Sequence, residues 1–380
     1  MSATQSYIIS DTVHFIEEPR LGSKEIAVGV DLGTSTIKAS CENRKFVIPS
    51  VIGDPNPGFT GVSPDKTLES NLVVIIDNRE HYVGQLAQLQ SEVKRYLASE
   101  GRMKSIDDAL IALKAALALV VEKEETVFVG TGVPVATSVS NMQGIARALQ
   151  GPLHMQVRNE ETGLIKKAYV NIKKCFVLPN SYGTYYYLLK SRGEEEALDT
   201  IIVDCGHGTT DLLVMYQGRP LRTSSGTMIE ATDTLTTRLA RALEEQTTKW
   251  VKPFDLMFAI RKGLDKVNVG GEMVDIGALK EHYVRQISEV ITDEVARLLG
   301  TLPLDADVRY FIITGGGSHT FADEIKLALG KKKIIQDIDN VLIPDDPLMA
   351  NAKGFEMIAK EMAKGKREPP QVTDIQSGKK

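Results

Sequence analysis

The chain of 380 residues carries only three cysteines and one tryptophan. Cys41, Cys175 and Cys205 are far apart, show neither CxxC nor Cys/His spacing, and lie in or beside apolar runs. That pattern argues against a disulfide framework or a zinc site and for small buried thiols. No apolar run approaches the roughly 20 residues of a membrane span. The opening stretch MSATQSYIISDTVHFIEEPRLGSK has no basic n-region and no continuous apolar h-region, so it does not read as a signal peptide. A cytoplasmic protein without membrane contact is expected. The net charge of −5 gives no electrostatic reason for direct nucleic-acid binding. GxxxxGK[ST] is absent, so a Walker cradle is excluded, and the lack of a short tandem repeat excludes a solenoid.

What is present is an ordinary globular balance, 42% apolar and 25% charged, with enough length for two domains. Two halves appear, each opening with strands around an Asp-x-Gly turn. In the first, Ile26–Asp31 and Thr36–Cys41 read as a hairpin continued by KFVIPS. Strand-like NLVVIID and HYVG follow the Pro/Gly loop GDPNPGFTGVSPD. Helical apolar spacing marks QLAQLQSEVKRYLAS and SIDDALIALKAALALVVEK, the latter with Ser105 and Asp107 as caps. TVFVGTGVP is a strand, SNMQGIARALQ a helix, and LHMQVRN, KKAYVNIKKCFVLP and the helix SYGTYYYLLKSR close the half. The second half opens with TIIVDCGHGTTDLLVMYQGRPLRTSS. The helices TMIEATDTLTTRLARALEE, PFDLMFAIRKG and GALKEHYVRQISEVITDEVARLLG follow, then a strand, glycine turn and helix in VRYFIITGGGSHTFADEIKLALG, then a strand, turn and last helix. SYIISDTVHFIEE reads as an added edge strand, and KGLDKVNVGGEMVD as an exposed insertion.

The self-similar element is a strand, an aspartate, a glycine, a Thr-rich turn and a second strand, at Asp31 and again at Asp204. A tight hairpin of glycine and small hydroxyl residues aims several backbone N–H groups at phosphate oxygens. Bulk would block that approach, which gives Gly33 and Gly208 a reason. Thr34, Ser35, Thr36, Thr209 and Thr210 add hydroxyl donors, and Lys38 can reach back as a cation toward β- and γ-phosphates. Carboxylates repel phosphates, so Asp31 and Asp204 make sense with Mg²⁺ between them, held through its waters. ITGGGSH supplies a third element, a strand entering a helix through Gly315, Gly316, Gly317 and Ser318, bare enough for a purine or phosphate to approach. His207 could contact a metal-bound water or simply face solvent. One Asp-Gly turn is ordinarily only a hairpin; the weight lies in three such elements, each after an apolar strand.

At these residues the chain resembles the actin/Hsp70/sugar-kinase ATPase superfamily. GVDLGTSTIK and VDCGHGTTD are similar to its two phosphate loops, LPNSYGTYYYLL and DDPLMANAKGF to its connecting segments, and ITGGGS to its adenosine motif. VFVGTGVPVATS, KWVKPFDL and DPLMANAKGF resemble ParM-like and archaeal ParM-related actin-like proteins. The resemblance implies an α/β actin-like fold: two RNase H-like domains with mixed five-stranded sheets flanked by helices, and a nucleotide cleft between them. The implied organisation is an N-terminal extension over 1–25, a discontinuous domain I over 26–188 and 346–364, domain II over 189–345, and a disordered tail over 365–380. It implies ATP or GTP with Mg²⁺ as cofactors and hydrolysis coupled to polymerisation. The expected partners are further copies of the chain in a filament and a DNA-bound adaptor, with DNA segregation or a cytoskeletal filament as the use.

By the same resemblance Asp31, Gly33, Thr34, Ser35, Thr36 and Lys38 surround the β/γ-phosphates and metal. Asp204, Gly206, His207, Gly208, Thr209 and Thr210 take the γ-phosphate side, and Gly226, Gly315, Gly316, Gly317 and Ser318 lie near ribose and base. Asp204, Asn180 and Asp31 are the catalytic candidates. Where ParM-like sequences carry Glu or Gln after the proline, this chain has Asn180, one methylene shorter, and slow hydrolysis is expected because a shift of about 1 Å costs a large rate factor. The competing readings are a small-molecule kinase of the same fold and a non-polymerising FtsA- or PilM-like adaptor. An Hsp70-like chaperone needs a substrate-binding domain after the ATPase, for which little chain follows the last helix.

Overall fold

The computed structural model describes residues 13–16, 25–56, 66–99, 102–122, 124–194 and 198–365. Most of the expected N-terminal extension, most of the Pro/Gly loop and the tail beyond 365 lie outside the described residues. The chain divides into two compact units, 1–194 with 349–380, and 195–348.

In the first unit, β1 (Val13–Ile16), β2 (Glu25–Leu32), β3 (Thr36–Cys41), β4 (Arg44–Pro49), β5 (Val51–Gly53), β6 (Leu72–Ile76) and β7 (Arg79–Val83) lead to α1 (Gln85–Gln90). Then come β8 (Lys94–Tyr96), β9 (Ala98–Ser99), β10 (Arg102–Met103), α2 (Ile106–Val120), β11 (Glu124–Val133), α3 (Val139–Leu149), β12 (Gly151–Asn159), β13 (Ile165–Pro179) and α4 (Asn180–Arg192). The second unit holds β14 (Asp199–Cys205), β15 (Thr210–Tyr216), β16 (Arg219–Pro220), β17 (Gly226–Met228), α5 (Thr232–Thr247), α6 (Pro253–Arg261), β18 (Lys266–Val269) and β19 (Glu272–Asp275). It continues with α7 (Gly277–Leu299), β20 (Val308–Thr314), α8 (Ser318–Lys331) and β21 (Val341–Leu342), after which α9 (Ala350–Ala363) returns to the first unit.

One topology is used twice. The orders β4-β3-β2-β11-β13 and β16-β15-β14-β20-β21 are both 3-2-1-4-5. In each, the first three strands are antiparallel and the last two add in parallel. This is the expected pair of mixed five-stranded sheets. In the first unit, however, the sheet grows to 11 strands, with β1 added at one edge and β12-β6-β7-β5-β8 at the other, and in the second β17 pairs with β15 as a sixth strand. β1 sets Val13 opposite Val47, so the apolar N-terminal stretch does act as an added edge strand.

Period-2 patterning explains β2. Ile26, Val28, Val30 and Leu32 enter the core cluster that α2 covers, while Ala27, Gly29 and Asp31 point to the opposite face. β14 repeats the arrangement, with Ile201, Val203 and Cys205 in the second core and Asp204 on the other face. Ser105 caps α2 by accepting from the Asp108 N–H at 3.3 Å, with Asp107 and Asp108 in the first turn. At the far end Lys166 Nζ donates to the carbonyls of Ala118 and Val121 at 2.6 and 2.7 Å, filling orphan acceptors.

The second face of the first sheet is bare because α9 lies on it. A Cβ on Gly29 would stand 1.9 Å from the Ala352 carbonyl oxygen, and one on Gly130 2.6 Å from that of Phe355. Between α4 and α9 the backbones touch: a Cβ on Gly354 would lie 1.8 Å from the Gly183 oxygen, and one on Gly183 2.3 Å from that of Asn351. Asn351 Oδ1 accepts from the Thr184 N–H at 3.1 Å and its hydroxyl at 2.6 Å. Buried Glu356 accepts from Ser40 Oγ at 2.5 Å and the Glu42 N–H at 2.7 Å, tying α9 to the first hairpin.

Two expected helices differ. The first stops at Gln90, because the following segment pairs β8 with β5 and Arg95 reaches Asp54 and Asp108 at 2.9 and 3.1 Å. Sheet pairing here overrides a helical apolar spacing. The helix expected from Thr227 begins only at Thr232, because Gly226–Met228 pairs with β15 and the Glu230 carbonyl accepts from Thr210 Oγ1 at 2.6 Å. Among the described residues no helix is long and apolar enough to cross a membrane.

Candidate functional site

Each unit presents one Asp-Gly turn, at the end of β2 in the first and of β14 in the second. In the first, the turn spans residues 33–35, between β2 and β3. Asp31 is 2% exposed and stands directly opposite Lys38, whose Nζ donates to Oδ2 at 3.0 Å. The second carboxylate oxygen, Oδ1, is buried without a hydrogen-bond partner. Gly33 is needed for this pair: a Cβ there would lie 2.8 Å from both Lys38 Nζ and the Thr36 carbonyl. Ser50 fastens the turn from below, its hydroxyl donating to the Gly33 carbonyl at 2.7 Å and its N–H to that of Ser35 at 2.8 Å. Thr34, Ser35 and Thr36 remain half-buried at the rim.

Asn180 is brought to the same edge. It is the first residue of α4, whose cap Pro179 supplies no side-chain hydrogen bond. Its Oδ1 is buried and unpartnered, and a Cβ on Gly132 would stand 2.4 Å from it. Gly132 is the cross-strand neighbour of Asp31. Two buried oxygen acceptors without donors therefore flank one bare glycine, and a buried acceptor left so costs about 1–3 kcal/mol.

In the second unit the turn spans 206–209, one residue longer than the first. It is laced from within and from two helix N-termini. The Gly206 N–H donates to the Thr209 carbonyl at 2.9 Å, and the Gly317 N–H to the Cys205 carbonyl at 2.7 Å. Thr232 Oγ1 donates to the Gly206 carbonyl at 3.2 Å and the Asp233 N–H to that of His207 at 2.8 Å. Gly315 has φ +86°, and a Cβ there would meet Asp204 Oδ1 and the Cys205 carbonyl, each at 2.4 Å. No other residue fits. Over Gly208 and Gly226, by contrast, a Cβ would meet nothing within 4 Å. These two glycines border open space.

Not every expected donor is available. Thr210 is fully buried and its hydroxyl holds the Glu230 carbonyl, while Ser318, 1% exposed, donates to the Gly315 carbonyl at 2.8 Å. Both hydroxyls position loops. His207 Nε2 lies 3.9 Å from Asp233 Oδ1, a loose contact at the turn's rim. Burial, and then the Asp204 charge, push the Cys205 thiol far above its usual range, so it is no nucleophile. Sequence reasoning passed over Asp211. It is buried, faces Asp204 directly across the strands, and accepts from Thr227 Oγ1 at 2.6 Å. Its register position, seven residues after Asp204 as Lys38 is after Asp31, was the available signal. The first hairpin thus opposes its aspartate with a cation, and the second with another carboxylate.

The model for the N-terminal domain of actin-like proteins matches residues 29–183, and that for the C-terminal domain of archaeal MreB-like actin homologues matches 202–327. Among solved structures, Ta0583, an archaeal actin homologue in complex with ADP, is 19% identical with a TM-score of 0.68, over 88% of this chain and 99% of that one. The actin-like protein Alp7A is 18% identical with a TM-score of 0.68, over 90% and 98%. A 15-stranded ParM filament from Clostridium botulinum is 17% identical with a TM-score of 0.66, over 89% and 100%. None of the curated proteins matches. With both halves matched in order and the fold shared along almost its whole length, the chain belongs to the actin-like proteins.

Proposed function

We propose that the protein is a nucleotide-dependent, self-assembling actin-like NTPase that binds Mg-ATP or Mg-GTP through its two Asp-Gly hairpins and hydrolyses it. The observation that carries this reading is the repeated turn: a stripped loop at the end of β2 and of β14, with an aspartate on the sheet face turned away from the main core. In the first unit, Lys38 and the turn at Gly33–Thr36 meet β- and γ-phosphate oxygens. The turn at Gly206–Thr209 meets the γ-phosphate from the second unit, with Gly208 leaving room for it. Gly226 and Gly315–Gly317 border ribose and base at the α8 N-terminus, where the helix dipole favours negative charge.

The donor set fits Mg²⁺ in one mode. Among the described residues no group of three His, Cys, Asp or Glu side chains converges into a cage of their own. Mg²⁺ characteristically keeps its waters and takes one or two carboxylates plus phosphates. The unpartnered Asp31 Oδ1, together with Asp204, would hold such an ion through water. When bound, it would neutralise charge developing on the phosphates. The chain's own task is positioning: Asn180 Oδ1 accepts a proton of the attacking water and so orients it, and Lys38, braced by Asp31, offsets phosphate charge. Self-assembly is supported by the likeness to the ParM filament, and DNA segregation with a bound adaptor, or a cytoskeletal filament, is the use that fits.

Gly208→Val tests the site cleanly, because its side chain would meet no atom of the protein within 4 Å of the new Cβ. The nucleotide-free variant should melt as wild type does, bind a fluorescent ATP or GTP analogue at least tenfold more weakly, and fail to sediment with Mg-nucleotide. Wild-type nucleotide affinity in this variant would overturn the reading.

A further inference from the structure

A turn that meets phosphate must hide its carbonyl oxygens as well as offer its N–H groups, because a carbonyl dipole aimed at an anion repels it. In a planar trans peptide the carbonyl of one residue and the N–H of the next point in opposite directions. Whatever ties a turn's carbonyls back therefore decides which N–H groups face outward. In the second unit that work is divided between two residues. Thr232 Oγ1 holds the Gly206 carbonyl at 3.2 Å and the Asp233 N–H holds that of His207 at 2.8 Å. The His207 and Gly208 N–H groups are thereby turned the other way.

In the first unit one residue supplies both ties. Ser50 Oγ donates to the Gly33 carbonyl at 2.7 Å, and the Ser50 N–H to the Ser35 carbonyl at 2.8 Å. The N–H groups of Thr34 and Thr36, on the far side of the same two peptides, are turned away from Ser50. Among the described residues no acceptor meets the Thr34 N–H. The hydroxyl tie guards the weaker point, since Gly33 has no side chain to restrain the peptide that follows it. Were that peptide to turn over, it would present an oxygen where Thr34 now presents a donor. Ser50 is itself held. It is fully buried at the joint between β4 and β5, where the chain leaves β3 and pairs instead with β7 and β8. Its own carbonyl accepts from the Leu97 N–H at 3.3 Å, and that of Val51 from the Gly84 N–H at 2.9 Å. The brace thus stands before any ligand arrives, and binding orders little chain.

Resting on the nucleotide-binding reading above, we propose that Ser50 is a positioning residue for that site: its hydroxyl locks the Gly33–Thr34 peptide with the N–H toward the β- and γ-phosphates and the oxygen away from them. Being fully buried, Ser50 acts through the turn and not on the ligand.

The test separates the hydroxyl from the fold. Ser50→Ala keeps the backbone tie to Ser35 and removes only the side-chain tie to Gly33. It should bind a fluorescent ATP or GTP analogue at least tenfold more weakly. In Mg-nucleotide hydrolysis the loss in kcat/KM should be carried mainly by KM, because the turn holds the phosphates before and during reaction alike. Ser50→Cys, close in size but a weaker donor, should fall between Ser50→Ala and wild type. If Ser50→Ala binds with wild-type affinity, or if its loss falls on kcat with KM unmoved, the positioning role is overturned while the nucleotide-binding reading stands. If Ser50→Ala does not fold, Ser50→Cys decides: a threefold or larger loss of affinity supports the role, and a smaller one overturns it. If wild type binds neither nucleotide, the function reading fails and takes this role with it.

Discussion

Replacing Gly354 by alanine sets two physical effects in direct opposition. Gly354 lies inside α9, and alanine there is favoured by about 1 kcal/mol on helix propensity alone. The added Cβ, however, would stand 1.8 Å from the Gly183 carbonyl oxygen of α4, a backbone atom that cannot rotate away. Relieving the clash means parting the two helices by well over 1 Å. Overpacking of this kind costs about 1–3 kcal/mol, and the parting also weakens the bonds from Thr184 to Asn351. The net expectation is a loss of about 1–2 kcal/mol. For a unit of this size that is a fall in melting temperature of roughly 2–8 °C. The assay is calorimetry of the nucleotide-free protein, following the transition assigned to the first unit. Gly183→Ala should behave alike, and the double variant should lose clearly less than the sum, since helices already parted accept the second methyl cheaply. An unchanged or raised melting temperature for Gly354→Ala would show that propensity wins, and that the close approach of α4 and α9 does not constrain the fold.

Two further predictions concern pH and chemistry. Burial, and then the Arg95 charge, hold the His81 imidazole below its usual range, and its Nδ1 is buried without a partner. The unfolded chain therefore binds the proton more readily. Stability should fall as pH drops below the ordinary imidazole value of about 6.5, and His81→Gln should lose less stability than wild type between pH 7.5 and 5.5; equal losses would refute this. Asn180→Ala should lower steady-state phosphate release at least tenfold with nucleotide affinity little changed, and an unaltered rate would remove Asn180 from the water-orienting role.

The strand-Asp-Gly hairpins were legible because everything that makes them is local: the apolar run before the acid, the small residues of the turn and the run after it. The Ser105 cap of α2 was legible for the same reason. What escaped depended on partners distant in sequence. The segment after Gln90 has helical spacing, but its fate is decided by pairing with β5, and Gly226–Met228 likewise became a strand because β15 had an open edge. The bare face formed by Gly29 and Gly130 makes sense only with α9 laid across it. A hydroxyl also reads the same whether it faces a ligand or a carbonyl, which is why Thr210 passed as a ligand donor, while Asp211 looked like any strand residue.

The return of α9 has a consequence for biosynthesis. Glu356 completes hydrogen bonds with Ser40 and Glu42, partners 316 and 314 positions earlier in the chain. During translation the first lobe must therefore wait, its glycine-lined face uncovered, while all of the second lobe is made and, as a self-contained sheet, able to fold first. Nascent chains arrested before residue 349 should show a protease-sensitive first lobe, and those arrested well past residue 363 a resistant one.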